Sequence, residues 1–165
     1  MTLIETVEVG AGGASSIQFD SIPQDGVDLV IRMSARNEVG AGAYYMRFNN
    51  DTGNNYAWAR INGTASSALH QTTSGTTVIL FQADNINDTA NTFSSSTIQL
   101  ANYTSAAPQY GSIENNTERN GNPAYSQFTS FRYFQSSAIT SITIFASSGE
   151  IEEYSLASIY KITAD

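Results

Sequence analysis

The sequence predicts an all-β fold, an antiparallel β-sandwich of jelly-roll-like type, as a single domain spanning residues 1–165. Three observations carry that expectation. Residues 27–36 alternate, with Val27, Leu29, Ile31, Met33 and Ala35 on one face and Asp28, Val30, Arg32, Ser34 and Arg36 on the other. That two-residue period marks a half-buried antiparallel strand. About ten such short runs recur along the chain with turn signals every ~8–12 residues, the spacing of sandwiches and jelly rolls. No stretch holds a helical period.

Taken in order, residues 3–9 and 15–20 read as short strands, separated by Gly10, Gly12 and Gly13 and stopped by a turn at Pro23 and Gly26. The alternating strand at 27–36 follows. Residues 62–75 are small and polar and read as a loop, 76–83 as a strand, and 84–91 as a polar loop. Ile98 and Leu100 alternate with Thr97 and Gln99 in a strand over 96–103. Residues 105–125 carry Pro108, Gly111, Gly121 and Pro123 and read as a long irregular segment, the kind that serves interfaces or function. Three strands close the chain at 127–134, 139–147 and 155–163. The first has aromatics on both faces, as expected of a strand covered on both sides. The expected core comprises Val27, Leu29, Ile31, Met33, Ile98, Leu100, Ile142 and Ile144, each worth roughly 1.5–3 kcal/mol of burial.

The central stretch is Tyr44 to Ile61. Tyr44-Tyr45-Met46-Arg47-Phe48 and Tyr56-Ala57-Trp58-Ala59-Arg60-Ile61 flank a polar tip, Asn49-Asn50-Asp51-Thr52-Gly53-Asn54-Asn55. Such runs around an Asn/Asp/Gly cluster predict a β-hairpin, with Gly53 supplying a positive φ. Alternation sets Tyr56, Trp58 and Arg60 on one face of the second strand.

Composition narrows the function classes. Of 165 residues, 41% are hydrophobic and 13% charged, which is globular. The net charge is −8, and Lys161 is the single lysine. With no basic stripe to neutralise phosphates, neither nucleic acid nor an anionic membrane is an expected partner. The absence of cysteine removes disulfides and thiolate metal sites. Residues 1–5 lack a basic start and an apolar core, so they do not read as a signal peptide.

Candidate chemistry is thin, and the chain is expected to be no enzyme, with no catalytic, cofactor-binding or metal residue. Asp51-Thr52-Gly53 matches the aspartic-protease tripeptide, but the flanking asparagines and the lack of a second copy favour a turn. The same tip could offer Asp51, Asn49, Asn54 and Asn55 to Ca²⁺, but one carboxylate is poor in charge for that ion. His70, the single histidine, sits without a Gly-x-Ser-x-Gly elbow, and a lone loop histidine is ordinarily just exposed. Glu150, Glu152 and Glu153 read as a solvated turn rather than a glycosidase pair. Tyr44, Tyr56 and Trp58 are the candidate interface or glycan platform; packing in the core or at a subunit contact is the blander fate of such residues.

Three features together resemble a family of small β-sandwich virion proteins of tailed bacteriophages, chiefly those of marine and freshwater bacteria. Ser15-Ser16-Ile17-Gln18-Phe19 leads through Ile22-Pro23 to Leu29-Val30-Ile31-Arg32. Phe48-Asn49-Asn50-Asp51-Thr52-Gly53-Asn54-Asn55-Tyr56 is similar to the pattern FNGDTGxNY, with Asn50 where glycine is usual. Ile142-Thr143-Ile144-Phe145 and Ser155 to Ile162 are similar to the family's closing strands, with Ile159-Tyr160-Lys161 in place of Leu-Tyr-Gly. The resemblance implies a virion protein assembled in the host cytoplasm, as a capsid decoration (cement) protein or a tail-associated one. Its implied partners are the major capsid protein and neighbouring copies of itself. A homotrimer is expected because capsid lattices offer three-fold positions. The alternative is a tail or fibre-associated glycan-binding module for host attachment. An acidic surface suits the outside of a DNA-filled shell. The N-terminal strand and residues 62–75 and 105–125 are the segments expected to touch neighbours.

Overall fold

The computed structural model describes residues 1–39, 42–63, 67–119 and 122–164. Thirteen strands and no helix are found among them: β1 Thr2–Glu8, β2 Ser16–Phe19, β3 Asp28–Asn37, β4 Ala43–Phe48, β5 Tyr56–Gly63, β6 Ala68–Gly75, β7 Val78–Gln82, β8 Asp84–Asn85, β9 Ser94–Ala101, β10 Gln109–Arg119, β11 Asn122–Tyr133, β12 Ile142–Ala146 and β13 Leu156–Ile162. They form a β-sandwich. The larger sheet runs β1-β13-β3-β9-β10-β11-β5-β6, with β8 beside β3, and the smaller runs β2-β12-β4-β7. Every pairing is antiparallel except that of β3 with β8. The chain passes between the sheets repeatedly, in jelly-roll-like fashion.

The core lies between the two inner faces. Leu29, Ile31, Met33 and Ala35 of β3 and Ile98 and Leu100 of β9 meet Ile17, Phe19, Tyr44, Met46, Phe48, Ile142 and Ile144 of the smaller sheet. Each expected core residue is buried except Val27, which precedes β3 and is half out in solvent. Arg36, 5% exposed, ties three segments together. Its Nε lies 2.7 Å from Glu152 Oε2, and its Nη1 donates to the carbonyls of Thr89 and Thr92.

Four local expectations are corrected. Residues 44–61 are not a hairpin: β4 pairs with β12 and β7, while β5 pairs with β11 and β6 in the other sheet. Alternation identifies both strands but is blind to which partner each takes. The loop expected over 62–75 is largely the end of β5 and the whole of β6; residues 64–66 lie outside the described residues. The side chains of β6 are exposed on both faces through Ser74, so it has no hydrophobic face to show in sequence. Residues 105–125 hold the whole of β10 and the beginning of β11, the two longest strands, with 120–121 outside the described residues. The inward side chains Gln109, Asn115 and Thr117 of β10 are polar and buried, so polarity hides that strand's period. Finally, β11 is not covered on both faces, because Phe128 and Phe134 are exposed.

Candidate functional site

The stretch from Phe48 to Tyr56 is an arch that carries the chain from one sheet to the other. Asn49 and Asn50 turn it, both left-handed at φ of 51° and 54°. Asn tolerates that region and Gly occupies it at no steric cost, which accounts for glycine being usual at the second position in the resembling pattern. Gly53 has no positive φ. A Cβ there would lie 2.6 Å from Asn55 Nδ2 and 3.0 Å from Asp51 Oδ1, so the residue is small because the arch closes over it.

Asp51 is the hub. Its Oδ1 accepts from Gly53 N at 2.7 Å, and its Oδ2 accepts from Asn55 Nδ2 at 2.8 Å and from the Tyr133 hydroxyl at 3.0 Å. Burial pushes this carboxyl up, but the three donors outweigh it and hold it below its ordinary value. The Tyr56 hydroxyl accepts from Phe48 N at 3.1 Å and donates to the Asp51 carbonyl at 3.1 Å. Its own ionisation is pushed up to about 12, chiefly by burial. Asn49 binds the segment between β11 and β12: Nδ2 donates to the Ala138 carbonyl, and Oδ1 accepts from Thr140 N at 2.8 Å. Beneath the arch, Phe48, Tyr56 and Tyr133 pack ring to ring, with Tyr56 and Tyr133 stacked at 4.9 Å.

The oxygens of Asp51 and Asn49 that a protease or a cation would use are thus engaged with the chain's own donors. Thr52 and Asn54 remain exposed. His70 lies exposed on β6, in register with Ile61. Glu150, Glu152 and Glu153 line a recess of about 260 Å³ with Glu38, and Glu152 is paired to Arg36. Among the described residues, no group of three or more His, Asp or Glu side chains is placed to hold a metal.

The structure does not bring Tyr44, Tyr56 and Trp58 together on the surface. Tyr44 and Tyr56 are fully buried and Trp58 is partly so. Tyr44 stacks on Phe81 at 5.2 Å and donates to the Arg36 carbonyl. These rings alternate inward because the inner face is the one the sandwich must fill.

The exposed aromatics lie elsewhere, on the outer face of the larger sheet. Arg132 sits 5.3 Å over the ring of Tyr110 and 4.6 Å over that of Phe134. Beside them runs a groove of about 570 Å³ lined by Ala57, Ala59, Thr72, Ser74, Tyr110 and Arg132. In the next rows Phe128 and Ile61 stand side by side and exposed. The signal available in sequence was the outward parity at the end of β11 and just beyond it, where Phe128, Arg132 and Phe134 share one face. The expectation of a covered strand concealed it.

Most of that outer face is neutral. Following the register across the sheet, one row reads Tyr160, Val30, Gln99, Ser112, Ser130, Ala59 and Thr72. The neighbouring row reads Ser158, Arg32, Thr97, Glu114, Phe128, Ile61 and His70. Only Arg32 and Glu114 in these two rows are charged at neutral pH.

No protein-family model matches this chain, and neither a curated protein nor a solved structure matches it. The fold and the site define a class: an all-β sandwich locked by a polar arch and presenting a broad, nearly uncharged sheet face.

Proposed function

We propose that this chain is a structural protein of a tailed-bacteriophage virion, a capsid decoration protein that binds the outer shell and stabilises it. The observation that carries the reading is the neutral outer face of the larger sheet. At strand spacings of ~4.8 Å, eight strands span roughly 34 Å, room for the ~800 Å² a side of a stable protein contact. Ser, Thr and Gln rows meet another protein surface without stranding unpaired charge, and Phe128 and Ile61 add apolar contact at one end. The acidic remainder of the molecule would face solvent and repel nucleic acid. The arch residues, the part most like the virion family's pattern, serve to hold this platform rigid. The partners in this reading are the major capsid protein and neighbouring copies of the chain, and no catalysis is assigned.

Particles lacking the protein should assemble normally but release DNA at lower temperature or under osmotic shock, since a partner that binds only the assembled shell stabilises it. The groove beside Tyr110 supports a second reading, attachment to a host glycan, because an exposed aromatic next to hydroxyls suits a sugar ring. Particles that lack the protein, resist heat as the wild type does and fail to adsorb would favour that reading instead.

A further inference from the structure

The two edges of the larger sheet are built differently. At one edge, β1 carries Glu5 and Glu8 and a register break between Leu3 and Glu5 where it pairs with β13. Charges and bulges are the usual protection of an edge whose N–H and C=O groups would otherwise recruit another strand. At the other edge, β6 has neither. Ala68-Leu69-His70-Gln71-Thr72-Thr73-Ser74-Gly75 contains no carboxylate, lysine, arginine or proline, and it pairs with β5 in unbroken register from Tyr56↔Gly75 to Gly63↔Ala68. Its side chains are exposed on both faces through Ser74. Exposed apolar residues gather at the same end, with Leu69 and Ile61 about as open as each other at 61% and 60%.

We infer that two copies of this chain join edge to edge through β6, antiparallel about a two-fold axis normal to the sheet, making one continuous sheet across the pair. A second copy is the occupant that the strand itself specifies. The two-fold operation supplies an identical uncharged, unbulged strand running in the opposite direction, and it keeps outer face beside outer face. The axis passes near Gln71 and Thr72, the middle of the strand. Pairing β6 with β1 of another copy would instead meet the bulge and two glutamates, and would propagate as an open filament. Charge points the same way. Two molecules of net charge −8 repel, and β6 is a stretch where no like charges face each other at contact. The pair differs from the three-fold arrangement expected from capsid lattices, which also offer two-fold positions. This inference goes beyond the proposed function and stands or falls separately from it.

The test is the mass of the full chain in solution by light scattering and sedimentation over a micromolar concentration series, together with cysteine cross-linking in a chain that has no cysteine of its own. The wild type should be a dimer. The double variant Thr72→Lys, Ser74→Lys places like charges beside the axis on an exposed strand. It should weaken self-association at least ~10-fold, while its circular dichroism and unfolding midpoint stay those of the wild type. Of the single variants Gln71→Cys and Thr72→Cys, at least one should oxidise to a disulfide-linked dimer, and Thr6→Cys on β1 should not. A monomeric wild type overturns the inference, including one that gains a β6 partner only on a capsid shell. So does a dimer or trimer that survives the lysines and gives no cross-link through β6.

Discussion

Two polar regions of the molecule, one half-buried and one fully buried, behave in opposite ways. At the arch, Asp51, Asn49 and Tyr56 each hold several partners, and both oxygens of the Asp51 carboxylate are used. Near β7, the inner face of the larger sheet carries Arg60, Asn62, Asn115, Gln127 and Thr129, all buried. There Gln127 Nε2 donates to Asn62 Oδ1 at 3.0 Å, and Arg60 Nη2 bonds Gln71. Arg60 Nε and Nη1, Asn115 Oδ1 and Thr129 Oγ1, however, have no hydrogen-bond partner among the described residues. Burial pushes the Arg60 guanidinium below its ordinary value, and it sits 5.5 Å over the ring of Trp58. Burying polar atoms is therefore no single condition. A filled network specifies one geometry, whereas a half-filled one leaves desolvation uncompensated.

The sharpest way to break the contrast is Asp51→Ala. It strands the Gly53 N–H, the Asn55 amide and the buried Tyr133 hydroxyl together, and should cost about 3 kcal/mol in urea unfolding at neutral pH. Gly111→Ala comes next. A Cβ at that position would lie 2.2 Å from the Phe131 ring and 2.3 Å from the Gln99 carbonyl, one of them backbone, so a loss of about 2 kcal/mol is expected. Gly10→Ala, with nothing within 4 Å, is its neutral control. Arg60→Met should fall within about 1 kcal/mol of the wild type or exceed it, because an apolar chain of similar length removes a buried charge that lacks a carboxylate partner. A loss as large as that of Asp51→Ala would erase the distinction between the two regions.

The smallest expected effect is in the pH profile. The pKa of Asp51 is lowered from 3.8 in the folded state, so its contribution is complete above that value and is lost as pH falls through the lower folded value. Asp84 runs the other way. Burial raises its pKa, so its contribution is complete below 3.8 and is lost as pH rises through the raised folded value. Acid titration of stability in Asp51→Asn should therefore lack the wild-type fall at the acid end, while Asp84→Asn should keep it.

What the sequence made legible follows the same division. The strands that face an apolar core, β3, β9, β12 and β13, announce themselves by alternation, because Leu29, Ile31, Ile98 and Ile144 must all point one way. β10 was hidden because Gln109, Asn115 and Thr117 occupy core-facing positions with polar chemistry, whereas residues 127–133 of β11 were read as a strand from their aromatics. β6 was hidden because a strand covered on neither face needs no pattern. The arch sequence was visible, yet its pairing was not. Asn49 and Asn50 permit a reversal within one sheet or between two, and the choice is made by Tyr133 and Ala138, some ninety residues further on. Tyr44 and Tyr56 mislead for a related reason: an amphipathic ring looks the same in sequence whether its hydroxyl meets a sugar or a buried carbonyl.

The pairing of β1 with β13 has a consequence in time. β1 is translated well before β13, its one sheet neighbour among the described residues, which follows nearly 150 residues on, since Glu8 pairs with Leu156. At ~5–20 residues per second, β1 waits roughly seven to thirty seconds for that strand to be synthesised. β3 shares the wait on one flank, because β13 inserts between the two. The glutamates of β1 would then act first as a safeguard for a nascent chain, keeping that strand from pairing with its counterparts on neighbouring ribosomes until the last strand arrives.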